Sequence, residues 1–176
     1  MHIYVRIFAL LLIFSGSMAC CDTADFNAQK PCILNEIKAI IPQKNTIRYT
    51  QVPRGIILSV AQTEIFEDNS SKISPDGKIL LKKIAELLKK FENDCTIESH
   101  NENSIIKSDT GEQSWETSIL QATALADFLT NELGIESSRL FPIGFGEIMP
   151  FRDNVAPADF PDNRVDFVIF DYTASR

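Results

Sequence analysis

The sequence predicts an α+β fold, its elements running β-α-β-α-β-β from residue 55 onward. Three observations predict it. Short runs alternate apolar and polar residues with period two, as half-buried strands do. Two longer runs, from Pro75 and from Ser114, repeat their apolar residues at helical spacing. Turn and capping residues stand between the runs. The chain has 176 residues, enough for one domain with a real core. Its 44% hydrophobic and 23% charged content is ordinary for a globular protein.

The first elements are not part of that fold. Met1–Arg6 is a positively charged start and Ile7–Phe14 an apolar run, followed by small residues up to Ala19. Residues 1–19 therefore have the layout of a secretory signal peptide. The apolar run is too short for a membrane span. Two processing readings stay open. Ser17-x-Ala19 suits ordinary cleavage, and Ser17-Met18-Ala19-Cys20 resembles a relaxed lipobox that places lipid on Cys20. Residues 20–45 are expected to form a polar tether and a short helix, Cys32–Ile41, stopped by Pro42.

The main domain is expected over residues 46–176. Ile47–Val52 alternates like a strand, Pro53-Arg54-Gly55 turns the chain, and Ile56–Val60 returns as a second strand. Ser74-Pro75-Asp76 opens a helix, with Ser as N-cap and Pro at the first helical position. Leu80, Leu81, Ile84, Leu87, Leu88 and Phe91 are its apolar face. Cys95–Ser99 is a strand. The next helix buries Ala122, Leu125, Ala126, Leu129 and Leu133 and ends at Gly134. Leu140–Phe145 is a strand, and Pro142 inside it argues for a sheet edge. A loop over 146–161 precedes the final strand, Arg164–Phe170.

Several function classes are disfavoured. The net charge is −7, and no basic stripe is present, so nucleic-acid binding is not expected. Cys95 and His100 lie five apart on one strand and face opposite ways, which argues against a catalytic dyad. Cysteine and histidine are too few at ligand spacing for a zinc site. Gly144-x-Gly146 is not followed by a helix, so no dinucleotide is expected. No catalytic residue, metal or cofactor is therefore predicted. Cys32 and Cys95 could form a disulfide in an oxidising compartment, or could be two small buried residues.

One stretch points further. Glu98-Ser99-His100-Asn101-Glu102, then a polar loop, then Ser114-Trp115-Glu116-Thr117-Ser118-Ile119-Leu120-Gln121-Ala122, resembles the motif G-H-T-D, loop, N-x-x-L-S-x-x-R-A of OmpA-like peptidoglycan-associating domains. The twelve-residue step from Glu102 to Ser114 and the Trp-Glu pair are closest to the MotB branch of that family. Gly144-Phe145-Gly146-Glu147 and Asp162-Asn163-Arg164-Val165-Asp166 resemble its G-Y-G-E and N-R-R-V-E. The resemblance implies a two-layer domain, with two helices packed on one mixed sheet. It also implies non-covalent binding of the diaminopimelate stem of peptidoglycan. In the family an Asp faces the ligand ammonium and an Arg forks onto its carboxylate, the strong kind of contact. Those positions hold Glu102 and Gln121 here. Glu keeps the charge, whereas Gln loses both charge and fork. The site implied by the resemblance comprises His100, Asn101, Glu102, Ser118, Gln121 and Arg164.

Two readings follow. The first is a wall-binding module facing the periplasm from the outer membrane, held there by lipid on Cys20. The second is a diverged scaffold that binds an envelope or flagellar protein. A homodimer is compatible with either.

Overall fold

The computed structural model describes residues 26–67, 70–101, 114–148 and 160–170. The expected signal segment 1–19, Cys20 and Glu102 lie outside the described residues. Five strands form one sheet in the order β1-β2-β5-β3-β4. They are β1 (Ile47–Val52), β2 (Gly55–Ala61), β3 (Cys95–His100), β4 (Leu140–Gly146) and β5 (Arg164–Phe170). β3 and β4 pair in parallel, and every other pair is antiparallel, so the sheet is mixed. β4 is an edge strand, paired on one side alone, which is where a strand tolerates Pro142.

Three helices, not two, supply the second layer. α1 (Phe26–Ile40) starts earlier than its apolar pattern suggests and carries Pro31 inside it. It puts Ile33 and Ile37 into the same core as the other helices, where Ile41, just past its end, joins them. α2 (Pro75–Lys90) begins as expected: the Ser74 hydroxyl accepts from the Gly77 N–H at 2.9 Å. Its Leu81, Ile84, Leu87 and Leu88 are buried in one core cluster with Ile56, Leu58 and Val60 of β2 and Phe167 of β5. α3 (Ser114–Asp127) continues as a π-helical turn, Phe128–Glu132. It closes at Gly134, whose φ of +68° is a conformation only Gly adopts freely. Among the described residues no helix is long and apolar enough to cross a membrane.

Strand alternation divides the sheet into two faces. Cys95, Ile97 and Ser99 of β3, with Val165, Phe167 and Ile169 of β5, look towards the helices. Thr96, Glu98 and His100, with Arg164 and Asp166, look the other way. The Cys32–Cys95 bridge is not formed. Cys95 is a free thiol wholly inside the apolar core, and Cys32 is disulfide-bonded, not to Cys95.

Candidate functional site

The end of β3 and the start of α3 meet at β4, and glycine makes the approach close. A Cβ on Gly144 would lie 2.4 Å from the Ile119 nitrogen and 2.6 Å from Ser118 Oγ. Helix backbone thus rests directly on the strand. The Ser118 hydroxyl ties the two together. It donates to the Trp115 carbonyl at 2.8 Å and accepts from the Gly146 N–H at 3.0 Å. Trp115 is 52% exposed, while its backbone stands against Gly146. A register shift between Ser99 and His100 pairs His100 with Gly146, and the Asn101 N–H then donates to the Gly146 carbonyl at 2.9 Å. Such an irregularity re-aims the side chains that follow it.

Gln121 points from α3 towards Ser99 and is 3% exposed. Ser99 Oγ donates to its Oε1 at 3.0 Å, and its Nε2 donates to the Ser70 carbonyl at 3.3 Å. The residue that sequence reasoning missed is Gln62, in the short 3-10 turn Gln62–Glu64 after β2. It exchanges two hydrogen bonds with Gln121, donating at 3.0 Å and accepting at 3.2 Å. The same amide nitrogen also donates to the His100 carbonyl at 2.9 Å and to Asn101 Oδ1. Gln62 is 59 positions from Gln121, and no spacing or motif signals their meeting.

The structure therefore gathers three of the implied site residues, Asn101, Ser118 and Gln121, where β3, β4 and α3 meet. It places two others, His100 and Arg164, on the opposite face of the sheet. There the His100 ring stacks on Phe145, centroids 5.0 Å apart and planes 8° from parallel. His100 Nε2 stands 3.4 Å from Asp166 Oδ2, and Arg164 Nε donates to that same oxygen at 3.0 Å. Arg164 is 5% exposed and reaches Asp162 as well, at 3.9 Å. Across β3, Glu98 takes a hydrogen bond from Thr96 at 3.1 Å and an ion pair from Arg54 at 3.5 Å.

Electrostatics follow from this arrangement. Burial pushes the Asp166 carboxyl up, but His100, the Arg164 guanidinium and the Ser59 hydroxyl outweigh it and hold it below its ordinary range. Glu98, His100 and Asp166 bring three ligand-type atoms within 4.8 Å of one another. Two arginines already stand against the two carboxylates, so the cluster reads as a buried ion-pair network. On the helix-facing side, the Cys95 thiol is pushed up to about 12, first by burial. It is protonated at neutral pH, and it faces away from His100.

Comparison with known proteins agrees with this geometry. The chain is 27% identical over 152 residues to the uncharacterized protein YtxE of Bacillus subtilis (strain 168), covering 84% of this chain and 63% of that protein. It thus spans less than two thirds of that relative's length. Its fold is similar to that of a putative MotB-like protein from Desulfovibrio vulgaris, at a TM-score of 0.70 and 21% identity, covering 82% of this chain and 95% of the other. It is also similar to the cell wall anchor of the T6SS from Pseudomonas aeruginosa, at a TM-score of 0.67 and 20% identity, covering 80% and 98%. At these identities the two structures speak for the fold alone. Residues 65–164, more than half the chain, match the model of the OmpA family, and the chain belongs to that family.

Proposed function

We propose that this protein is a non-catalytic module of the cell envelope that binds peptidoglycan without a covalent bond. The observation that carries the reading is the junction of β3, β4 and α3. It holds Asn101, Ser118 and Gln121 together, directly before Glu102 in the chain. Family membership supports it, as does likeness in fold to a protein described as a cell wall anchor. Glu102 supplies the negative charge that meets the ammonium of the diaminopimelate stem. The finer parts of the reading are export by residues 1–19 and attachment to the outer membrane, on its periplasmic side, by lipid on Cys20.

Sedimentation of the full chain with purified peptidoglycan tests the reading. The wild-type protein is expected in the pellet. Glu102→Ala is expected to lose one charge-assisted contact, about 1.5–3 kcal/mol, and so to bind roughly ten- to a hundredfold more weakly. A wild-type protein that stays wholly in the supernatant sinks the proposal. The scaffold reading, with an envelope protein as partner, would then take its place. One observation favours that second reading: the hydrogen-bonding groups of Gln121 are all used inside the protein.

A further inference from the structure

Ile79 is 57% exposed on a helix whose other isoleucine and leucine side chains are all buried. The reason lies in α1. It flanks the second half of α2, where Lys90 meets Glu36 at 2.6 Å, and it ends before Pro42. The first turns of α2 keep that flank uncovered. What remains is a groove of about 280 Å³ between α2 and the chain from Ile41 to Ile47. Ile41, Ile47 and Leu80 are buried and form its apolar floor, and Ile79 stands on its rim. Lys44 and Glu64, at one side, pair with each other at 3.2 Å. Asp76 and Lys83 also line the groove, and neither has an ion-pair partner among the described residues. Two cations and two anions make this patch neutral on a chain that carries −7.

We propose that this flank of α2 docks onto the same flank of a second copy, and that the protein forms a two-fold dimer through it. The spacing of the two unpaired charges points to that occupant. Asp76 and Lys83 are two helical turns apart, about 10.5 Å along the axis, and Ile79 and Leu80 stand midway between them. A two-fold axis through that midpoint lays a second α2 alongside the first, antiparallel. Asp76 of each copy then faces Lys83 of the other, and Ile79 of each enters the groove of the other. Such an isologous contact uses one patch twice. The second helix takes the place beside α2 that α1 leaves open. Burial of Ile79 supplies attraction, and the two charge pairs fix the direction. A parallel arrangement would set Asp76 against Asp76 and Lys83 against Lys83. The neutral patch also lets two anionic chains meet without local repulsion. One helix flank is a small contact, so the dimer is weak and depends on concentration.

Sedimentation velocity of the full chain over a concentration series tests this. The wild type is expected to pass from monomer to dimer as concentration rises. Asp76→Lys alone sets Lys against Lys in both halves of the contact, and Lys83→Asp alone sets Asp against Asp. Each is expected to weaken association by about tenfold or more, because like charges held together are costly and each change acts twice. An equimolar mixture of the two variants restores opposite charges in both halves, and it is expected to dimerise as the wild type does. The double variant carrying both changes gives the same outcome from one chain, so the test stays decisive if a single variant fails to fold. Ile79→Ser, which removes the apolar side chain from both grooves at once, is expected to weaken association by about tenfold or more. A wild type that stays monomeric throughout overturns the proposal and leaves the groove to a different occupant. Association that neither single charge change weakens overturns it too. So does a failure of both the mixture and the double variant to restore the dimer, since only an antiparallel two-fold pairing of 76 with 83 predicts that rescue.

Discussion

Asp166 shows how a single side chain answers to both faces of its surroundings. Burial disfavours its charge, and Arg164 at 3.0 Å together with His100 and Ser59 more than restores it. A carboxyl held below its ordinary value of 3.8 contributes stability above that pH and loses it as the pH falls through the lower, folded value. Replacing it leaves Arg164 buried with its main partner gone. Asp166→Asn is therefore expected to cost about 3–5 kcal/mol at pH 7. The gap to wild type should narrow at pH 3, below the ordinary carboxyl value of 3.8, where the unfolded wild-type chain takes up a proton that the folded state resists. Urea unfolding of both proteins at the two pH values checks this, and a gap that does not change with pH counts against it. The sequence shows Asp166 as one acid of a motif. Its partners His100 and Ser59 come from two other strands, and only the sheet register brings them to it. Position parity does separate His100 from Ser99, so the split of the implied site between two faces was legible. The meeting of Gln62 with Gln121 was not, because it depends on how a turn and a helix pack.

At the scale of the element, what period and capping encode came through. Ser74, Pro75 and Gly134 mark the ends they were expected to mark, because each acts on its own local backbone. The end of α2 was not legible. Its last carbonyls are met by Arg139, from the short turn before β4. Arg139 Nη2 donates to the carbonyls of Leu88, Phe91 and Asn93 at 2.8, 2.7 and 2.7 Å. A buried guanidinium at a helix C-terminus satisfies orphan carbonyls and complements the helix dipole. Sequence reasoning passes over it because Arg139 is 48 positions from Phe91 and carries no helical or strand pattern. Arg139→Ala is expected to destabilise the fold by about 2–4 kcal/mol, since buried carbonyls lose a charged donor. Arg139→Lys should recover part of this, as one ammonium can reach fewer of the three. Thermal and urea unfolding decide, and a loss below about 0.5 kcal/mol would put the residue among ordinary surface positions. α1 is the other departure. Its apolar residues gave its core-facing side, but Pro31 masked how far it extends.

For the molecule as a whole, the order of elements was readable because each strand and helix carries its own period. That the first helix joins the layer, and that Gln62 meets Gln121, were not, since both are products of packing. Charge is a whole-molecule property that the sequence states outright, and it has a consequence for the proposed function. The chain carries −7, and peptidoglycan is itself anionic. Long-range electrostatics therefore oppose the encounter, and any affinity comes from short-range contacts at the β3–α3 junction. Salt shortens the reach of the repulsion, from about 30 Å at 0.01 M to about 8 Å at 0.15 M. A contact centred on Glu102 is screened as well, but at hydrogen-bond distance it loses less than repulsion acting across the whole surface. The fraction of protein that sediments with purified wall is thus expected to hold or rise over that range. A protein held by a basic patch behaves oppositely, and its binding falls steeply with salt. Sedimentation across a salt series separates the two cases. A steep fall would move the binding surface away from the junction and onto lysines such as Lys82, Lys83, Lys89 and Lys90 of α2.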